Sequence, residues 1–185
     1  MRAPRIWQDG IMHTRLVTER LTLRPLSRSD ADAVFAMMSD DETMRFWDYP
    51  AFKDRETVAE IIDAQLADIA EGGALYWAVA LSPDGAAIGC CDLSEIDRHH
   101  GRAEIGFLFN RAYWGNGYAL EAMQSVAEYA FEDLRLRRLW ARFHDGNIAS
   151  QRLLERLGFS REGRLRGHIL REGEARDCEI YGRVR

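Results

Sequence analysis

The chain has 185 residues, three cysteines and a net charge of −5 at pH 7. A single domain of this size buries a sizeable core without disulfides or a structural metal, and the acidic balance argues against general nucleic-acid binding. The sequence lacks the ~20 consecutive apolar residues of a membrane span and the apolar core of a signal peptide. We therefore expect a cytoplasmic protein that does not bind nucleic acid or membranes.

The cysteines fit a reducing compartment. Cys90 and Cys91 are adjacent, so on a strand they point to opposite faces and do not bridge. Cys178 stands alone, and no Cys-x-x-Cys spacing occurs. All three are interpreted as small core residues.

Apolar spacing predicts a mixed α/β fold with a central, mostly antiparallel sheet. The predicted elements are a strand at 20–26, a helix capped by Ser29 or Asp30, a helix at about 54–70, strands at 75–81, 87–93 and 103–109, a helix at about 118–134, a strand at 138–143, a helix from Asn147 to Leu157, and a hairpin at 159–184. No linker, repeat or low-complexity segment interrupts them. We predict one domain over 1–185, with its core at about 15–183 and residues 1–14 as an extension.

A glycine loop joins the predicted strand at 103–109 to the helix that follows it. Residues 111–119 read RAYWGNGYA, and Gly115 and Gly117 permit backbone angles that a side chain would forbid. Backbone N–H groups at such a helix N-terminus face anions, which suggests a phosphorylated cofactor. The sequence lacks the Gly-Lys-Ser/Thr of a P-loop, and Leu120 replaces the third glycine of a dinucleotide fingerprint. An ordinary strand-to-helix turn is the alternative.

Three segments together resemble the GNAT N-acetyltransferases, and more narrowly the RimJ/RimL-like branch that acetylates the N-termini of ribosomal proteins. They are residues 19–26 (ERLTLRPL), residues 105–121 with WGNGYALE at their end, and residues 144–159 (HDGNIASQRLLERLGF). The resemblance implies one GNAT-like domain with about four helices and a sheet splayed between its fourth and fifth predicted strands. It covers roughly residues 15–183.

The resemblance implies acetyl-CoA as the donor, with its pyrophosphate on the N–H groups of residues 114–119 and its pantetheine arm beside the strand at 104–109. A backbone N–H near Phe107 or Leu108 would polarise the thioester carbonyl. The expected cofactor-binding residues are Phe107, Leu108, Phe109, Trp114, Gly115, Asn116, Gly117, Tyr118, Ala119 and Asn147. The family often has Gln or Arg where this chain has Ala112, with Arg111 one residue earlier. This departure puts a side-chain contact in doubt and leaves the backbone cradle intact.

The chemistry would be attack of an amine on the thioester, and the amine must first lose a proton. Glu104 is the first candidate base, directly or through water, because it lies on the strand that flanks the reactive carbonyl. Glu179 and Glu95 are weaker alternatives, and the other reading of Glu104 is a salt-bridged sheet carboxylate. Ser150 occupies the place where relatives carry a Tyr or Ser that protonates the leaving thiolate. It could instead be a helix-surface hydroxyl, and Asn147 a mere N-cap.

Other polar and aromatic groups receive weaker interpretations. His99 and His100 lie in a predicted turn without companions at metal spacing, so we expect a solvated pair and no metal. His144 would be a polar lining of the site. Trp47, Tyr49 and Phe52 would shape the acceptor pocket or belong to the core.

The acceptor amine is the main open question. A protein N-terminus is preferred, and a small molecule such as an amino acid, polyamine or antibiotic is the nearest alternative. A non-catalytic CoA-binding sensor or interaction module is an alternative of another class, as is a nucleotide-binding protein unrelated to acyl transfer. The sequence does not indicate the oligomeric state, so a homodimer remains open.

Overall fold

An eight-stranded sheet forms the centre of the structure, a computed structural model that describes residues 14–185. The elements are β1 (Leu16–Val17), β2 (Thr22–Pro25), α1 (Ala31–Met38), α2 (Arg55–Glu71), β3 (Leu75–Ala80), β4 (Gly89–Asp97), β5 (Arg102–Phe109), α3 (Tyr118–Glu132), β6 (Arg138–His144), α4 (Ile148–Arg156), β7 (Ser160–Arg171) and β8 (Glu174–Val184). The strand order is β1-β2-β3-β4-β5-β6-β8-β7. Every pair is antiparallel except β5 and β6, which run parallel.

The predicted architecture is confirmed: a mostly antiparallel sheet, splayed between the predicted strands at 103–109 and 138–143, is flanked by four α-helices. Two differences concern strands. β1 was not predicted because it has only two residues, too few to show a period. β4 continues to Asp97, past the predicted end at residue 93, because a bulge accommodates the chain where Glu95 adopts a φ of +48°.

The sheet separates two hydrophobic layers. On one face α3 buries an apolar stripe, with Met123, Val126 and Ala130 inaccessible to solvent. On the other face α1 and α2 cover a second cluster centred on Met37, Val58 and Ile62. The strands between them therefore carry apolar side chains on both faces, which fixes their register.

Helix ends agree with the sequence except at α1. Asn147 caps α4 by accepting from the N–H of Ser150, as predicted, and Gly158 follows that helix with a positive φ. At α1 the predicted side-chain cap is wrong. Asp30 precedes the helix but uses its carboxylate to bind the guanidinium of Arg24 and the N–H of Ser27.

The cysteines are free thiols in the core, as predicted. Cys91 packs in the α3 layer and Cys90 against the α1–α2 layer, so the two point to opposite faces of β4. Burial raises the pKa of Cys90 to about 12, which keeps its thiol protonated and unreactive at neutral pH. None of the helices in the described part of the chain is long and apolar enough to cross a membrane.

The parallel pairing of β5 and β6 is short. It joins residues 102–104 to residues 138–140 and ends at the pair Glu104 and Trp140. Beyond that pair the two strands separate, while β5 keeps its partner β4 as far as Phe109 and β6 keeps its partner β8 as far as His144. The sheet thus contains an internal gap between the carboxyl-terminal halves of β5 and β6.

The hairpin of β7 and β8 reaches over the loop between α1 and α2. Buried Arg171 donates from Nη1 to the carbonyl oxygens of Met44, Arg45 and Trp47, at 2.9, 2.7 and 3.1 Å. One guanidinium therefore satisfies three carbonyl groups of an irregular segment, which fixes that loop beside the gap in the sheet.

Candidate active site

The glycine loop presents open backbone at the N-terminus of α3. Gly115 and Gly117 have φ angles of +77° and +79°, in the left-handed region that favours glycine. A Cβ built on Gly115 would meet nothing within 4 Å, so the loop is open on the side where an anion would approach. Because Gly117 directly precedes a 15-residue helix, the unpaired N–H groups of the first turn and the helix dipole favour negative charge here.

Residues 18–20, between β1 and β2, support this loop through side-chain contacts. Arg20 donates from Nε to Oε2 of Glu121 at 2.7 Å and from Nη1 to the carbonyl of Asn116 at 3.0 Å. Its guanidinium also lies 4.7 Å from the ring centre of Tyr118, and Thr18 donates to the same glutamate at 2.6 Å. Two of the three segments that carry the family resemblance are therefore joined through Arg20 and Glu121, a contact that sequence reasoning missed.

A cleft of about 750 Å³ runs from the glycine loop to α4 and is called the cofactor cleft below. All the predicted cofactor-binding residues except Asn116 line it, namely Phe107, Leu108, Phe109, Trp114, Gly115, Gly117, Tyr118, Ala119 and Asn147. Asn116 instead supports the loop, since its side chain donates to the carbonyls of Tyr113 and Trp114. Arg111 forms an ion pair with Asp40 at 3.2 Å.

The alternation of hydrogen-bonded pairs along β4 and β5 shows which backbone N–H groups of β5 face the gap. The N–H of Asn110 donates to the carbonyl of Ile88, so these residues form a hydrogen-bonded pair across β4 and β5. Because such pairs alternate along an antiparallel ladder, Leu108 also directs its N–H to β4, whereas Phe107 and Phe109 direct theirs away from it. The N–H of Phe107 therefore points toward the gap, which favours it over Leu108 as an oxyanion donor.

A smaller cavity of about 230 Å³ adjoins the gap and is called the inner cavity below. Glu104 and Ser150 both line it, and Ser150 and Asn147 also line the cofactor cleft. The structure thus brings the candidate base and the candidate proton donor to one space. Burial raises the pKa of Glu104 to about 7, so this carboxyl exchanges its proton near neutral pH.

Asp92 is a second carboxyl of the inner cavity that sequence reasoning missed. It pairs across the strands with Gly106, and burial raises its pKa to about 6, while the hydroxyl of Ser94 donates to it at 3.1 Å. A Cβ on residue 106 would lie 2.5 Å from Oδ1 of Asp92. The glycine in the middle of β5 is therefore the sequence signal that could have revealed Asp92, because its missing side chain leaves room for this carboxylate.

Asp48, from the loop between α1 and α2, also lines the inner cavity. Its Oδ1 lies 2.8 Å from Nε2 of buried His144, and its Oδ2 lies 3.0 Å from Nη2 of Arg142. The hydrogen bond to His144, followed by that to Arg142, lowers the pKa of Asp48 to about 2. His144 is thus a polar lining residue held by a carboxylate, and the described part of the chain offers its Nδ1 no partner.

This pKa shift predicts an acid-sensitive contribution to stability. The pKa of Asp48 is lower in the folded chain than its ordinary 3.8, so its contribution is complete above that value and is lost as the pH falls toward 2. The shift corresponds to about 2 kcal/mol of unfolding free energy. We expect Asp48→Asn to lower the unfolding free energy by that amount at pH 7 in urea titrations, and to differ little from the parent near pH 2.

The exposed Asp84→Asn, in the loop between β3 and β4, is the control, and should leave the unfolding free energy unchanged at both pH values. An equal loss for Asp48→Asn at pH 7 and pH 2 would show that the variant disturbs packing and that the carboxylate charge contributes nothing.

The remaining candidates occupy other positions. Glu95 is exposed on the bulge of β4, and Glu179 forms a bidentate ion pair with Arg161. Neither lines the inner cavity as Glu104 does. Trp47 lines both spaces, whereas Tyr49 is 65% exposed and Phe52 packs on the α1–α2 core. His99 and His100 form an exposed ring pair, and residues 14–185 contain no cluster of His, Cys, Asp or Glu that could hold a metal.

Comparison with known proteins identifies the family of the chain. Residues 20–160 match the family described as Acetyltransferase (GNAT) domain. The chain is 35% identical over 170 residues to the uncharacterised N-acetyltransferase p20 of Bacillus licheniformis, covering 90% of this chain and 93% of that protein. It is 30% identical to YdaF of Bacillus subtilis, named as a candidate ribosomal N-acetyltransferase, with 92% and 94% covered.

More distant relatives differ in acceptor. The spermidine N(1)-acetyltransferase of Escherichia coli is 28% identical, with 84% of this chain and 81% of that protein covered. The solved structure of RimL, a ribosomal L7/L12 α-N-protein acetyltransferase in complex with coenzyme A, superposes with a TM-score of 0.83 over 92% of this chain and 98% of that one. At 18% identity that likeness shows the fold alone. The family match over residues 20–160 identifies the chain as a member of the GNAT acetyltransferase family.

Proposed function

We propose that this GNAT N-acetyltransferase transfers the acetyl group of acetyl-CoA to the N-terminal amine of a protein, by direct attack in a ternary complex. The observation that carries the proposal is the position of Glu104. This carboxyl, whose pKa is about 7, lines an inner cavity that adjoins a cleft suited to a long anionic cofactor.

The residues of the cofactor cleft fit coenzyme A. The open glycine loop and the first turn of α3 offer N–H groups to a pyrophosphate, and the unpaired edge of β5 offers main-chain groups to an extended arm. The cap on α4 uses only the side-chain oxygen of Asn147, so its NH₂ group still has two N–H donors for the cleft. Bound acetyl-CoA would supply the electrophile, a thioester carbonyl.

Three groups of the protein then have distinct roles. The N–H of Phe107 would hold the oxygen on which negative charge develops, and Glu104 would take the proton of the amine, directly or through a water molecule. The hydroxyl of Ser150 would donate a hydrogen bond to the departing sulfur, since this residue lines both the cleft and the inner cavity. Glu104 would thus act on the attacking amine and Ser150 on the leaving sulfur of the same reaction.

The acidity of Glu104 favours an N-terminal amine over a polyamine. Protein α-amines have pKa values near ~8 and alkyl amines near ~10. Moving a proton to a carboxylate of pKa about 7 is therefore uphill by about one pKa unit for an α-amine and about three for an alkyl amine. The inner cavity, about 230 Å³, has room for the first side chain of a peptide whose remainder would stay outside.

The first test concerns the cofactor. Isothermal titration is expected to show saturable binding of CoA and acetyl-CoA and no binding of ATP or NAD. The reason is that the cleft combines a pyrophosphate cradle with an extended strand edge, which only the pantetheine arm would use. Binding of ATP and not of CoA would contradict the proposal and favour a nucleotide-binding protein.

The second test concerns the acceptor. A panel of peptides with free N-termini, the same peptides with blocked N-termini and an internal lysine, and spermidine are incubated with acetyl-CoA, and products are identified by mass spectrometry. We expect acetylation of the free N-termini alone. Turnover of spermidine without peptide acetylation would favour the small-molecule alternative, and CoA binding without any turnover would favour a non-catalytic sensor.

A further inference from the structure

Two arginines on α4 line the cofactor cleft without forming an ion pair in the described part of the chain. Arg152 and Arg156 lie four residues apart, so they project from the same face of the helix, about 6 Å apart. Both are exposed, and both line the cleft. Arg138, Arg161 and Arg164 on neighbouring strands each bind a carboxylate, whereas neither α4 arginine has such a partner within residues 14–185.

These arginines set the charge of the cleft. The ionised residues that line it are Glu42, Arg45, Arg152 and Arg156. Glu42 and Arg45 lie 3.4 Å apart and offset each other, so the two α4 side chains leave a net positive charge. In a chain whose overall charge is −5, this local excess points to an anionic ligand.

We propose that Arg152 and Arg156 together bind the 3′-phosphate of coenzyme A, an inference that rests on the proposed function. The glycine loop would hold the pyrophosphate through its backbone N–H groups, so that contact would not need the α4 arginines. The 3′-phosphate is the second anionic group of the cofactor and carries one to two charges at neutral pH. Paired guanidinium groups match the geometry of a phosphate and remain charged at every relevant pH.

The experiment compares CoA with dephospho-CoA, which lacks only the 3′-phosphate. Both ligands are titrated calorimetrically into the parent, into R152Q/R156Q and into the matched control R166Q/R176Q, which removes two charges from the β7–β8 hairpin, outside the lining of the cleft. We expect the parent to bind CoA about tenfold more tightly than dephospho-CoA. R152Q/R156Q should bind both ligands with the parent's affinity for dephospho-CoA, and the control should behave as the parent.

A salt series adds a second readout. The parent's preference for CoA should shrink as ionic strength rises, because the contact is exposed and charged, while the α4 variant should show no preference at any salt concentration. The inference is overturned if R152Q/R156Q keeps the preference for CoA or loses affinity for both ligands by the same factor. If the parent binds neither ligand, the proposed function fails as well, so the two failures are distinguishable.

Discussion

Replacing Glu104 by glutamine is expected to lower kcat by about 100-fold or more while leaving the affinity for acetyl-CoA unchanged. Glutamine keeps the size and polarity of the side chain, and it cannot accept the proton of the attacking amine. The residue lies on the wall of the inner cavity, whereas the glycine loop that would hold the cofactor phosphates is at the other end of the cleft. Steady-state kinetics with an N-terminal peptide, together with calorimetry of acetyl-CoA, measures both quantities.

The pH profile provides the sharper criterion. Burial raises the pKa of Glu104 to about 7, and a base must be deprotonated to act, so the parent's kcat should rise with pH and level off above that value. In Glu104→Gln this rise should be absent. Glu60→Gln, on the exposed face of α2, is the matched control and should retain both the rate and the profile. A parent-like kcat in Glu104→Gln would exclude this carboxyl as the base.

The second large effect concerns the glycine loop. Gly117→Val should weaken CoA binding by about 100-fold or more, because a β-branched side chain is strained at a φ of +79° and would crowd the N–H groups of the first turn of α3. Calorimetry measures the affinity, and thermal unfolding separates this effect from loss of structure.

Gly173→Val supplies the comparison for that variant. Gly173 has a φ of +84° in the turn between β7 and β8, with nothing within 4 Å of a built Cβ, so the substitution imposes similar backbone strain away from the cofactor cleft. We expect it to lower the melting temperature as much as Gly117→Val does and to leave CoA affinity intact. Equal loss of CoA binding in both variants would assign the effect to general destabilisation.

Local patterns predicted much of this fold because local interactions determine those features. The apolar stripe of α3, the cap of Asn147 and the glycine pair at 115 and 117 are each encoded within a few neighbouring residues. Strand alternation likewise puts Glu104 and Gly106 on one face of β5. The same reasoning failed at β1, which is too short to show a period, and at Asp30, whose carboxylate binds Arg24 instead of capping a helix.

The parts of the site that the sequence did not reveal depend on distant partners. Asp48 becomes a wall of the inner cavity only because it meets His144, 96 positions away, and its loop is held by Arg171. The role of Asp92 was not evident from the sequence, because it lies in a strand whose composition is that of an ordinary core strand. Only Gly106, which pairs with it across the strands, indicated its position. Such contacts follow from the packing of the whole chain, which no short window of sequence contains.

The short pairing of β5 with β6 would also make the stability of the protein depend on a bound cofactor. The separated halves of these strands expose main-chain groups inside the sheet, the kind of edge on which chains aggregate. A ligand that lies along that edge would shield those amides from hydrogen exchange, and at 100 times its Kd it would add about 2.7 kcal/mol to the unfolding free energy. The concentration of acetyl-CoA in the cell would then influence the lifetime of the protein against proteolysis as well as its reaction rate.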